Sequence, residues 1–406
     1  MGMYLGPQPR RSRWPWVLLL LLLGLIAGGW YVYKNEPQLL AQAMQRLAAE
    51  IPVEQLPEEM RPRPTPTATL RPITAAEYLA EGDRLLAEGK MGAAAEEYQK
   101  AIQAEPMNAE AHAGRALALA LRGDRAVSLQ QARRAVEINP QSAGYQAVLG
   151  MALAWNAQPD QAVLACLKAA DLDPNLPMAY AFLAEAYADL DRFDRAQEAA
   201  DRAVALDPDD VWARRTVAYL YEKRGNYQRA AEEYQRAIAV QPAMGFLYLA
   251  LGRNYRVLDR YDEAIEAFQK AADLDPADPR GYDQMGWTYY VLKDYERATL
   301  FLRKAIEVDP GHAPALGHLG FVSYVQRRYE EAIDWFTQAI ESGGRRLDYF
   351  YTLGWAHIHL QECDQAIPWL QQALEIDPNC ELASRGLAQC GVRLVEPEEE
   401  QKGAQP

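Results

Sequence analysis

Proline recurs in this chain at a fixed interval. Pro106, Pro140, Pro174, Pro208, Pro242, Pro276, Pro310 and Pro378 keep a 34-residue register, and Gly344 fills the one place where a proline is skipped. Proline cannot continue a helix, so each of these residues ends one helical segment and turns the chain into the next. The register defines nine units: 75–108, 109–142, 143–176, 177–210, 211–244, 245–278, 279–312, 313–346 and 347–380.

Numbering each unit from 1 to 34 shows where side-chain size is restricted. Position 8 is glycine or alanine throughout, from Gly82 and Ala116 to Gly354. Position 20 is alanine except for Ser128, and position 27 is alanine from Ala101 to Ala373. Small residues at fixed points on two successive helices allow close approach, while Tyr78, Tyr98, Tyr180, Tyr187, Tyr234, Tyr248, Phe268, Tyr282 and Phe336 at positions 4, 11 and 24 fill the space between them. A helix-turn-helix of this length with this small/large pattern and a terminal proline resembles the tetratricopeptide repeat. The resemblance covers about three quarters of the chain, residues 75–380. It implies an all-α fold: a right-handed solenoid of nine helical hairpins, each burying its apolar face against its neighbours. Residues 381–394 are predicted to form a capping helix over the last unit, and 395–406 a disordered tail.

Ahead of the repeats, the twenty residues Trp14 to Tyr33 carry no charge, enough for a helix of about 30 Å, the thickness of a hydrocarbon core. Trp14, Trp16, Trp30, Tyr31 and Tyr33 bracket this stretch as interfacial aromatics. Arg10, Arg11 and Arg13 precede it and only Lys34 follows closely, which by the positive-inside bias leaves a basic tail, 1–13, in the cytoplasm. The sequence therefore predicts a single-pass plasma (inner) membrane protein of bacterial type with its repeats extracytoplasmic. A cleaved signal peptide, with Ala27 and Gly29 before the cut, is the alternative. Residues 34–74 read as a short juxtamembrane helix followed by a proline-rich linker.

In the tetratricopeptide family, positions 2, 5, 9 and 12 of the first helix line a concave groove that binds peptides. In units 1 to 4 these positions are mostly small, acidic or aliphatic, among them Asp83, Ala113, Met151 and Glu185. From unit 5 onward they turn aromatic and cationic: Trp212, Arg215, Tyr219, Phe246, Arg253, Arg256, Arg280, Trp287, Tyr290, Phe321, Tyr324, Tyr351 and Trp355. Aromatic residues with arginine make up binding hot spots, so these thirteen form the candidate ligand-binding surface. The competing reading is that the rings pack on the neighbouring helix and close the groove. The family's asparagine-and-lysine carboxylate clamp is not implied, because position 9 never carries asparagine and position 5 never lysine. The arginines remain suited to acidic side chains or a phosphate.

A formal charge of −14 argues against nucleic acid as partner and favours a basic one. No Gly-rich phosphate loop, HExxH or CxxC occurs, and the five histidines are scattered, so neither enzyme activity, nor a metal, nor a cofactor is expected. Cys166 occupies a core position, whereas Cys363 at the start of the last B helix and Cys390 in the capping helix are candidates for a disulfide. Ser342-Gly343-Gly344 replaces the usual proline turn, and a looser turn or hinge is expected there. The reading is a membrane-anchored scaffold that binds a protein or peptide partner in the cell envelope. A glycan-binding protein, or an accessory subunit of an envelope enzyme or secretion complex, are the alternatives.

Overall fold

The computed structural model describes residues 73–392. Among them are nineteen helices and no strand. The first nine hairpins are α1 Ala75–Ala87 with α2 Met91–Ala104, α3 Ala109–Arg122 with α4 Arg125–Ile138, α5 Ala143–Trp155 with α6 Pro159–Leu172, α7 Pro177–Asp189 with α8 Phe193–Leu206, α9 Val211–Lys223 with α10 Tyr227–Val240, α11 Gly245–Val257 with α12 Tyr261–Leu274, α13 Arg280–Val291 with α14 Tyr295–Val308, α15 Ala313–Val325 with α16 Tyr329–Glu341, and α17 Leu347–His359 with α18 Cys363–Ile376. A single helix, α19 Glu381–Gln389, follows the last hairpin.

Local chemistry sets these boundaries. Thr74 and Glu77 form a capping box at the start of α1. Asn108, Ser142 and Asp210 accept backbone N–H bonds at 3.0, 3.4 and 2.8 Å at the starts of α3, α5 and α9. Within each hairpin the reversal is made by position 15, which takes a left-handed conformation in all nine units. Gly89, Gly123 and Gly225 do so without a Cβ, while Ala157, Asp191, Asp259, Lys293, Arg327 and Gln361 adopt the same positive φ.

The restricted positions are where the helices touch. Every residue at positions 20 and 27 is buried, and the Ser128 hydroxyl donates to the Ala116 carbonyl at 2.7 Å. Position 8 faces position 24: a Cβ at Gly82, Gly252 or Gly320 would lie 2.7, 2.5 or 2.8 Å from a ring carbon of Tyr98, Phe268 or Phe336. Units 2 and 4, with alanine at position 8, also carry alanine at position 24. Unit 5 keeps both Ala218 and Tyr234 buried.

The turn at 342–344 is tighter than its glycines suggest. Gly344 N–H donates to Ala339 O at 2.9 Å and Gly343 N–H to Ile340 O at 3.0 Å, the paired bonds of a Schellman cap. A Cβ on Gly344 would sit 2.7 Å from the Ala339 carbonyl oxygen and 3.0 Å from the Tyr349 ring. The hinge expectation meets a packed joint. The capping helix is shorter than expected and ends at Gln389, with Gly391 beyond it at φ 80°. The Cys363 and Cys390 Sγ atoms stand at bonding distance, 2.15 Å, with Cα atoms 5.4 Å apart.

The inner-membrane location is corrected. Among the described residues no helix is long and apolar enough to cross a membrane. The stretch 14–33 that suggested a span, the basic tail 1–13, the linker up to residue 72 and the tail from 395 lie outside the described residues.

The solenoid touches itself. The turn of unit 1 meets the junction of units 5 and 6, where Gly89 packs so closely that a Cβ would fall 2.0 Å from the Ala243 carbonyl oxygen. One unit further along, Arg280 Nη2 donates to the Leu121 carbonyl at 2.6 Å across 159 residues of sequence. Five units thus bring the chain back on itself, and the concave face between becomes a half-open cavity.

Candidate functional site

That space is a cavity of about 650 Å³, lined by residues of units 2 to 7. Its apolar floor includes Ala120, Leu121, Ala154, Phe246, Leu249 and Ala250, and its charged groups are Arg125, Arg215, Arg253 and Arg280 with Glu185, Asp189 and Glu222. Most of the lining comes from first helices, with Arg125, Pro159 and Tyr234 contributed by second helices.

Of the thirteen residues read from sequence, Arg215, Tyr219, Phe246, Arg253 and Arg280 line the cavity. Trp212 is buried beneath it, stacked on Phe246 at 5.8 Å and tilted against Phe182 at 5.4 Å. Arg256 lies outside the lining, over the Phe268 ring at 5.6 Å and with its guanidinium donating to the Thr288 hydroxyl at 3.5 Å. The C-terminal rings pack on one another. Trp287 lies between Tyr290 at 4.6 Å and His318 at 4.2 Å, both nearly parallel to it. Phe321 sets its edge on Phe336 at 5.0 Å, and the Tyr324 hydroxyl pairs with His359 at 3.3 Å. Trp355 Nε1 donates to the Leu382 carbonyl at 3.0 Å, joining α17 to the cap, and Tyr351 is half-buried in the same terminal core. The aromatic series is therefore largely a packing ladder, and the enclosed part of the groove sits nearer the middle of the solenoid than units 5 to 9.

Residues of units 3 and 4, passed over in the sequence, anchor the wall. The Glu185 carboxylate is buried, and it accepts from Trp155 Nε1 at 3.1 Å, from Thr216 Oγ1 at 2.8 Å and from the Arg215 guanidinium. Burial alone would lower the Arg215 pKa, but the charge and hydrogen bond of Glu185, with Tyr234 and Glu222, together raise it. Arg215 also lies over the Trp155 ring at 4.8 Å. Asp189 takes the Tyr219 hydroxyl and Lys223 at 3.2 Å. Burial first, and that bond second, push the Tyr219 pKa up. Glu222 accepts from Tyr234 at 2.8 Å and from the Asn254 amide. The periodicity carried one cue to these residues, an acidic side chain at position 9 on an otherwise apolar helix face, Glu185.

Arg253 differs from its neighbours. Among the described residues it makes no hydrogen bond or ion pair, whereas Arg215 is held by Glu185 and Arg280 by Asp278 at 2.5 Å. Arg253 belongs to the cavity lining and is exposed. Enclosure lowers its pKa, and Arg280 and Arg215 lower it further against the pull of Tyr234 and Glu222. Enclosure and the charge of Arg253 likewise depress Arg256, to about 10. A second buried polar group lies outside the cavity. His318 Nδ1 meets the Asp283 carboxylate at 2.7 Å, tying unit 7 to unit 8. Burial would raise the Asp283 pKa, but His318 overcomes this and holds it below the usual carboxylate value. Among the described residues no group of three or more His, Cys, Asp or Glu is placed to hold a metal ion.

Family models described as tetratricopeptide repeat or TPR repeat match residues 82–123, 183–249, 245–278, 284–346 and 326–381. No curated protein matches the chain. Among solved structures, the crystal structure of the APC/C hetero-tetramer Cut9-Hcn1 is similar at 18% identity and a TM-score of 0.57, over 77% of this chain and 63% of that one. The chain thus spans less than two thirds of that relative. A structure of pilF from Pseudomonas aeruginosa is 19% identical over 52% of this chain and 97% of that one, with a TM-score of 0.45. A human IFIT1 dimer with PPP-AAAA is 16% identical over 66% and 72%, with a TM-score of 0.49. At these identities the likeness concerns the fold alone.

Proposed function

Because the chain belongs to the tetratricopeptide repeat family, we propose that it is a protein-interaction scaffold whose half-open concave cavity receives an extended segment of a partner polypeptide. The observation that supports this reading most is the cavity itself. Ligand sites of a few hundred cubic ångströms match its about 650 Å³, and its lining sets an alanine and leucine floor beside charged groups of both signs. A rigid wall favours a segment that arrives extended, and the Glu185 network locks Trp155, Arg215 and Thr216 in place before any ligand arrives. The glycan alternative loses support, since stacking on sugar needs free ring faces and those of Trp212 and Trp287 are occupied by Phe246, Tyr290 and His318.

The test is selection from a random peptide library on the purified chain. A photo-crosslinking residue is then placed at Ala157, on the cavity wall, or at Leu164, exposed on an outer helix. Selected peptides are expected to crosslink at position 157 and not at 164. Crosslinking only at 164, or no selection at all, would remove the proposal.

A further inference from the structure

The proposed scaffold function leaves open what a segment must carry to be recognised. Four arginines line the cavity with unequal commitments: Arg215 is neutralised by Glu185 and Arg280 by Asp278, while Arg125, at the start of a second helix, and Arg253, on a first helix within the field of Arg215 and Arg280, have no side-chain partner among the described residues. An exposed arginine on the cavity lining, with Arg215 and Arg280 close enough to act on its charge and no protein acceptor for its donors, offers a free guanidinium to an entering anion. Of the carboxylates in the lining, Glu185, Asp189 and Glu222 already accept from Arg215, Tyr219 and Tyr234, and although Glu222 attracts Arg253 none of the three forms a hydrogen bond or ion pair with it.

The rest of the wall narrows the class of anion. Phe246, Leu249 and Ala250 adjoin Arg253 in the lining, so the anionic group is to be flanked by apolar ones. Glu185, Asp189 and Glu222 would repel a continuous polyanion, and the chain as a whole is at −14. A phosphodiester backbone meets neither condition. A carboxylate side chain between aliphatic residues meets both, and the planar fork of arginine takes a carboxylate through two parallel bonds.

Building on the scaffold reading, we infer that Arg253 is the recognition residue of the cavity, and that the segment it receives is a partner's polypeptide carrying a glutamate or aspartate between apolar side chains. Arg280 stands beside it as a second donor whose guanidinium also closes the ring through the Leu121 carbonyl.

The experiment is fluorescence anisotropy with two labelled probes, an octapeptide with a central Leu-Glu-Leu in a Gly/Ser frame and its Leu-Gln-Leu counterpart. The intact chain is expected to prefer the glutamate probe by about tenfold or more. Arg253→Gln is expected to abolish the preference, Arg253→Lys to restore part of it, and Arg236→Gln, an exposed arginine outside the lining, to leave it intact. Because Arg253 has no partner to lose, its Gln variant should unfold at no lower temperature than the wild type. Equal affinity for the two probes, no binding of either at millimolar concentration, or a preference that survives Arg253→Gln would overturn the inference. So would tighter, Arg253-dependent binding of a labelled oligouridylate. If library peptides crosslink at position 157 but show no acidic preference, this inference fails while the scaffold reading stands. If none crosslinks there, the scaffold reading fails.

Discussion

Lys293 illustrates how single residues carry a cost imposed by the hairpin. It sits at position 15 with φ 61°, a conformation that places Cβ against the following carbonyl and costs roughly 1–2 kcal/mol for a residue other than glycine. Lys293→Gly is therefore expected to raise stability by about 1 kcal/mol, less the entropy glycine adds to the unfolded chain, as measured by urea denaturation. His312 carries a different cost. Its Nε2 is buried without a hydrogen-bond partner, and burial lowers its pKa against the pull of Asp283, Asp309 and Asp278, with His318 adding to the fall. The folded chain then binds fewer protons than the unfolded chain below about pH 6.5, so this contribution is complete above that pH and is lost as pH falls through the window beneath it. His312→Gln is expected to flatten the decline in melting temperature between about pH 7 and about pH 5.5. An unchanged slope would show that the histidine does not drive it. Neither effect was legible in the sequence. Only three of the nine position-15 residues are glycine, so the left-handed turn leaves a diluted signature, and His312 looks like any surface histidine until its unit is stacked.

The hairpin is the element the sequence describes best, because its constraints recur nine times and act over a few residues. Small residues at positions 8, 20 and 27 are explained by rings and backbones within contact distance, and the prolines by the ends of the second helices. The terminal element depends on a longer-range contact. Helix α19 covers the last hairpin with only Ala383, Gly386 and Leu387 buried, and Cys390 at its end meets Cys363 at the start of α18. We propose that this pair is a disulfide in the working protein. Closing a loop with a sequence separation of 27 is worth about 3 kcal/mol by chain entropy. Cys390→Ser is then expected to speed hydrogen exchange in α19 while leaving α1 to α4 unchanged. Equal exchange in both proteins would show that packing alone holds the cap. The candidate site was legible in part. Arg215, Tyr219, Phe246, Arg253 and Arg280 line the cavity, but aromatic residues at helical spacing serve packing as readily as binding, and only neighbouring helices decide which.

At the scale of the whole repeat array, the consequential feature is the contact between units five apart. Gly89 and Gly225 occupy the same position with positive φ, but a Cβ on Gly225 would meet nothing within 4 Å, whereas one on Gly89 would strike the Ala243 carbonyl. Gly225→Ala should therefore cost only the backbone penalty of about 1 kcal/mol, and Gly89→Ala about 1–3 kcal/mol more, by chemical denaturation. Equal losses would mean that the ring does not contribute to stability. The sequence by itself determined the helices, their pairing into hairpins and the stacking of one hairpin on the next, because each is enforced by steric rules that act within a unit or between adjacent units and repeat in register. Only the tertiary structure decided that the solenoid closes on itself, that the cavity is walled by units 2 to 7, and that Arg253 is left without a partner. Small rotations between neighbouring units accumulate along the array, and their sum, which no single unit encodes, sets Arg280 against Leu121 across 159 residues.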